Sequence, residues 1–82
     1  MMQDKTDLSK KIEELTALRK SISLDLKVIA QNTNIPTQIL KNIELHNFNK
    51  LPPHPIGESF IKQYSFVIEK ESKRTKNAKI SR

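Results

Sequence analysis

The stretch DLKVIAQNTNIPTQILKNIEL, Asp25 to Leu45, decides the architecture of this chain. Its first half predicts a short helix. Asp25 is a good N-cap, because its carboxylate accepts the orphan N–H groups of a first turn. Leu26, Ile29 and Ala30 follow at i, i+3 and i+4, the spacing of one helical face. Asn34 ends that helix, since Asn is second only to Gly in tolerating the left-handed backbone of a tight exit. Ile35 then acts as an apolar plug, and Pro36 favours a new helix start. Leu40 and Ile43 form the inner face of the second helix. The spacing places Ala30 at a close, buried crossing of the two helices and Asn34 at positive φ.

Working outward, Leu8, Ile12, Leu15, Leu18 and Ile22 recur at helical spacing and predict a preceding helix, capped by Thr6 or Asp7. Residues 1–6 read as a flexible N-terminus. Glu13 and Glu14 lie among lysines on a solvated face. Arg19 is placed to pair with a carboxylate of a later helix, a simple exposed arginine being the alternative. After the central pair, Pro52, Pro53 and Pro55 forbid a continuous helix. Phe48 and Leu51 are expected to pin this loop to the core. Pro55 then opens a last helix, from about Ile56 to Glu69. Ile56, Phe60, Tyr64 and Val67 make one stripe on it, with Ile61 and Ile68 on an adjacent one. One stripe is expected inside and the other exposed. From Ser72 the apolar periodicity stops, and residues 72–82 read as a basic, disordered tail.

Composition narrows the function. Eighty-two residues make one domain, here residues 7–71, and a chain this short buries only about 60% of its unfolded surface. There is no cysteine, hence no disulfide, no thiolate nucleophile and no Cys-based zinc site. No apolar run approaches the roughly 20 residues of a membrane span. The N-terminal MMQDKTDLSKK lacks the apolar core of a signal segment, which gives the chain a cytoplasmic character. The net charge of +6 is unevenly placed: residues 72–82 carry five cations and no acid, and the rest is close to neutral. That weakens a reading of nucleic-acid binding from charge alone. With one glycine, no phosphate loop and no nucleophile–base spacing, the chain is not expected to be an enzyme or to carry a cofactor. His46 and His54 are lone histidines without a carboxylate cluster, so no metal site is expected.

The spacing of Ala30, Asn34, Leu40 and Ile43 resembles the helix-turn-helix of phage-repressor-like domains, with an ordinary helical hairpin as the plainer alternative. The fold expected is all-α, a small helix-turn-helix bundle of about five helices. A longer stretch, Leu15 to Ile68, resembles the N-terminal cytoplasmic domain of the RodZ family of bacterial cell-shape proteins. The matching residues are Leu15, Arg19, Leu24-Asp25-Leu26, Ile29-Ala30, Ile35-Pro36, Leu40 and Ile43-Glu44. The more specific half is Phe48, Leu51-Pro52, Phe60-Ile61-Lys62 and Tyr64. Ser23 and Ser59 stand where that family usually has Gly, and Glu69 where a Gly often ends the last helix.

The resemblance implies an adaptor that binds the actin-like protein MreB and links it to the membrane. It implies a partner surface on the helix carrying Phe60 and Tyr64, with Lys62 and Arg74 as charged neighbours. It also implies a place at the inner face of the cell membrane, through a segment following the basic tail. Basic residues near anionic lipid are worth roughly 1 kcal/mol each, so the tail suits an anionic membrane surface. A solvated linker is its plainer reading, and a core stripe is the plainer reading of Phe60 and Tyr64. The competing function is a DNA-binding transcription regulator. There Thr37, Gln38, Lys41 and Asn42 would face the major groove. Against it, the helix from Thr37 to Leu45 offers one cation, Lys41, and one acid, Glu44, whereas phosphate binding draws on several cations.

Overall fold

Ile12, Ile29, Ile35, Leu40, Ile43, Tyr64 and Ile68 have lost nearly all contact with solvent in the computed structural model, and together they mark the centre of the core. The structure describes residues 5–80, with side chains from 7 to 74. The elements are α1 (Lys5–Ser21), α2 (Leu26–Thr33), α3 (Thr37–Glu44), a 3-10 turn (Phe48–Lys50) and α4 (Ile56–Ile80). The fold is all-α, and no strand occurs among the described residues. Four α-helices and the 3-10 turn match the expected small bundle of about five helices. Helix α4 packs on α1 and α2, α3 packs on α1 and α2, and the 3-10 turn closes on α3.

The central pair forms as its residues dictate. Asp25 sits in extended backbone and accepts a hydrogen bond from the Lys27 N–H, capping α2. Asn34 takes φ 63° and ψ 23°, and its N–H donates to the Ala30 carbonyl at 2.8 Å. Thr33 reinforces the exit, donating to the Ile29 carbonyl and accepting from the Ile35 N–H. Ile35 is buried, and the Pro36 carbonyl accepts from the Ile39 and Leu40 N–H groups, closing the first turn of α3. Ala30 is half-buried at the core edge, less enclosed than its place in the spacing predicts.

Two more helices leave through left-handed residues. At the end of α1, Ser23 has φ 57°, with Leu24 N–H on the Arg19 carbonyl and Ser23 N–H on the Lys20 carbonyl. This is the Schellman arrangement, which favours Gly at the left-handed position. At the end of α3, His46 has φ 64°, with Asn47 N–H on Asn42 and His46 N–H on Ile43. His46 therefore serves as a helix stop, and its ring stacks on Phe48 at 5.7 Å. The chain's one glycine, Gly57, is needed for a different reason. It is buried at the start of α4, where a Cβ would lie 2.5 Å from the Pro52 carbonyl oxygen. Only a bare backbone lets α4 pass the proline loop this closely.

Two helix boundaries differ from expectation. Helix α1 begins at Lys5, so Thr6 and Asp7 are in its first turn; residues 1–4 lie outside the described residues. Helix α4 does not end near Glu69 but runs to Ile80, through the stretch expected to be a disordered tail. The reason is local: from Glu58 to Ile80 there is no Gly or Pro, and Glu, Lys, Arg and Ala are good helix formers. Lys73 and Arg74 are exposed after the buried Ser72, so the loss of apolar periodicity there does not mark the end of the helix. Nor does one apolar stripe of α4 stay outside. Tyr64, Val67 and Ile68 are buried, Phe60 and Ile61 are half-buried, and Ile56, at the helix start, is exposed.

Candidate functional site: the outer face of helix α4

Helix α4 has two unlike faces, and one polar network holds its inner face in place. Tyr64 is fully buried, and its hydroxyl donates to Glu44 Oε2 at 2.8 Å. The same hydroxyl lies 3.1 Å from Thr16 Oγ1. Glu44 in turn receives a two-pronged arginine: Arg19 Nε at 2.6 Å on Oε2 and Arg19 Nη2 at 2.9 Å on Oε1. The remaining Arg19 group, Nη1, donates to the Leu24 carbonyl at 2.9 Å. One arginine thus joins α1, the turn after it, and α3, while the tyrosine adds α4. Burial pushes the Tyr64 phenol well above its ordinary value, the Thr16 hydrogen bond opposes this, and neighbouring Glu44 adds to it. Burial and a carboxylate neighbour both disfavour a phenolate. The expected pairing of Arg19 with a later carboxylate is present.

The residues expected to bind a partner do not share one surface. Tyr64 belongs to the core, so in this conformation its ring is not a free anchor. Phe60 is half-buried and packs against that core. Lys62 and Arg74 are exposed, and Arg74 pairs with Glu71 at 3.1 Å on α4 itself. The residues expected to read DNA divide similarly. Gln38 and Lys41 are exposed and Thr37 is partly exposed, but Asn42 is buried. A buried side chain cannot reach a base edge, so Asn42 leaves that set. Neither histidine gains ligand partners: His54 faces Glu58 one turn on, at 3.1 Å, and no group of three or more potential metal ligands occurs among the described residues.

The outer face of α4 carries a residue that the stripes passed over. Phe66 is 65% exposed, far more than Phe48, Phe60 or Tyr64. At about 100° per residue it lies about 160° round the helix from the buried Tyr64. The signal was available: a large apolar residue out of phase with the core stripe and flanked by Lys62, Gln63, Ser65, Glu69 and Lys70. Beside it runs an open groove of about 560 Å³ between the end of α2 and α4. Asn32 and Thr33 line it from α2, and Gln63, Phe66 and Val67 from α4. Lys62, Lys70, Glu71 and Arg74 supply its charge.

Comparison with known proteins places this arrangement. No curated protein and no solved structure matches the chain significantly. No helix among the described residues is long and apolar enough to cross a membrane. A family model described as a helix-turn-helix domain matches residues 14–71, which include the α2–α3 pair, the proline loop and the buried part of α4. The capped α2, the left-handed Asn34 and the buried inner face of α3 are the geometry that such a domain requires, and the chain belongs to this helix-turn-helix domain family.

Proposed function

We propose that this domain is a protein-docking adaptor of the RodZ kind, which engages an actin-like partner such as MreB through α4 and tethers it at the inner face of the membrane. The observation that carries the reading is Phe66, an aromatic side chain two-thirds exposed on the longest helix, with Lys62 and Lys70 one turn away on either side. Exposed aromatics of this kind, with a polar rim, are typical anchors of protein interfaces. The matched family is also one that RodZ-like proteins contain. In this reading Phe66 takes the anchor role, Phe60 supports it from the half-buried edge, and Tyr64 works from inside by fixing α4. Lys62 and Arg74 stand at the rim. The helix that would read DNA is poorer: α3 offers Lys41 alone as a cation, and Asn42 is enclosed.

The test is a titration of the 82-residue chain with the MreB-like protein of its source organism. Phe66→Ala is compared with Gln38→Ala/Lys41→Ala, with circular dichroism of each variant. Losing a central aromatic anchor typically costs 2 kcal/mol or more, about 30-fold in affinity. Phe66→Ala should lose at least tenfold while staying folded, and the α3 variant should bind like wild type. Absence of binding by the wild-type chain would refute the adaptor reading. So would a sequence-specific duplex DNA complex abolished by the α3 variant.

A further inference from the structure

The groove beside Phe66 has a shape and a charge that specify more than a generic docking face. We infer that it receives an acidic amphipathic helix of the partner protein, laid along α4 with its apolar side on Phe66. This rests on the adaptor reading for the partner's existence, but on the groove alone for its chemistry. The groove is lined along α4 from Ser59 to Arg74. At about 1.5 Å per residue that is roughly 22 Å, the length of a helix of about 15 residues. Helices bind such grooves through apolar side chains at i, i+3, i+4 and i+7. Phe66 and the edge of Val67 supply the apolar contact, and Gln63 with Asn32 the polar margin.

Charge decides which helix. Lys62, Lys70 and Arg74 line the groove against a single carboxylate, Glu71, which Arg74 already holds. Lys62 and Lys70 form no salt bridge among the described residues. An acidic helix would satisfy both. A second copy of this chain would not. In an antiparallel pairing about Phe66, residue i faces residue 132 − i, so Lys62 of each copy meets Lys70 of the other. Glu58 and Arg74 would also face each other, but each has a partner in its own chain, His54 and Glu71. Like charges beside the central contact select against self-association and for an acidic partner.

The probe is a synthetic helical peptide of about 16 residues, the length matched to the groove at 1.5 Å per residue, with leucines on one face and glutamates on its flanks. Its control has lysine in place of every glutamate. Both are titrated into the isotope-labelled 82-residue chain and followed by amide chemical shifts. The acidic peptide should move the amides of Asn32, Thr33, Gln63 and Phe66, and bind at least tenfold more tightly than the basic one. Lys62→Glu/Lys70→Glu, with both changes on the exposed surface, should reverse the order of the two peptides. That reversal cannot come from loss of fold. Equal binding of both peptides, shifts confined to α3, or a dimer that Phe66→Ala dissolves would each overturn the inference. The adaptor reading fails separately. If the MreB-like protein does not bind but the acidic peptide does, the groove assignment stands and the proposed partner falls. If Phe66→Ala loses the MreB-like protein but Lys62→Glu/Lys70→Glu binds it like wild type, the adaptor stands and the acidic-helix assignment falls.

Discussion

Glu44→Ala should be among the most damaging single substitutions in this domain, and the reason is the arginine it strands. Glu44 accepts three hydrogen bonds, two from Arg19 and one from Tyr64. Without the carboxylate, the Tyr64 hydroxyl keeps Thr16, so little is lost there. Arg19 keeps only the Leu24 carbonyl, with a side chain just 13% exposed. Breaking a buried ion pair from one side typically costs 3–5 kcal/mol. The residual exposure and the surviving hydrogen bond put this case near the lower end, about 3 kcal/mol. At about 0.05–0.15 kcal/mol per residue, the whole domain has about 4–12 kcal/mol of stability, so the loss is a large fraction. With a urea slope of about 1 kcal/mol/M for a small domain, the midpoint should fall by about 3 M. The double substitution Arg19→Met/Glu44→Leu removes both charges and leaves none stranded. It should return to within about 1 kcal/mol of wild type, because replacing both ions of a buried pair by apolar groups is often neutral. Urea denaturation followed by circular dichroism measures all three proteins. A Glu44→Ala midpoint within about 0.5 M of wild type would refute the reasoning, as would a double variant no more stable than Glu44→Ala.

Two further outcomes test the packing and the phenol. Gly57→Ala sets two effects against each other: Ala favours a helix interior by about 1 kcal/mol, but its Cβ would meet the rigid Pro52 carbonyl oxygen at 2.5 Å. Overpacking costs about 1–3 kcal/mol, so denaturation should show a net loss of stability, and a rise in the midpoint would mean the loop yields freely. The raised Tyr64 pKa makes the folded state hold its proton while the unfolded chain loses it from about pH 10 upward. Stability from this group is fully present below pH 10 and declines above it, by at most about 1.4 kcal/mol per pH unit. Tyr64→Phe should therefore be less stable at pH 7 yet lose less between pH 10 and 11, and parallel curves for the two proteins would contradict the buried, protonated phenol.

What the residues disclosed in advance was the part of the fold set by local chemistry. Asp25 as a cap, Asn34 at positive φ and Pro36 before α3 depend on neighbours within a few positions, and Leu40 and Ile43 follow from helical spacing as the inner face of α3. The departures from the RodZ-like pattern also acquire a meaning. Ser23, where the resemblance implied a Gly, occupies a left-handed backbone of the kind that favours Gly. At Glu69, where the resemblance implied a helix-ending Gly, α4 continues. Ala30 was placed correctly on α2, but how far it is enclosed depends on how the helices pack, which spacing does not encode.

The proposed docking face was harder to read for a different reason. Apolar periodicity finds the side of a helix that is buried, and Phe60 and Tyr64 are prominent because they belong to that side. Tyr64 reports its role only through distant partners, Glu44 and Thr16, which lie 20 and 48 positions away in the chain. A docking residue has the opposite signature, an aromatic ring out of phase with the stripe. Phe66 fits it, with its ring in water and lysines on either side. The two roles are physically coupled. The Arg19–Glu44–Tyr64 network fixes the rotation of α4 about its own axis, and that rotation decides whether residue 66 points outward. A tyrosine at position 64 and a phenylalanine at position 66 can therefore both be needed for binding while only the second touches the partner.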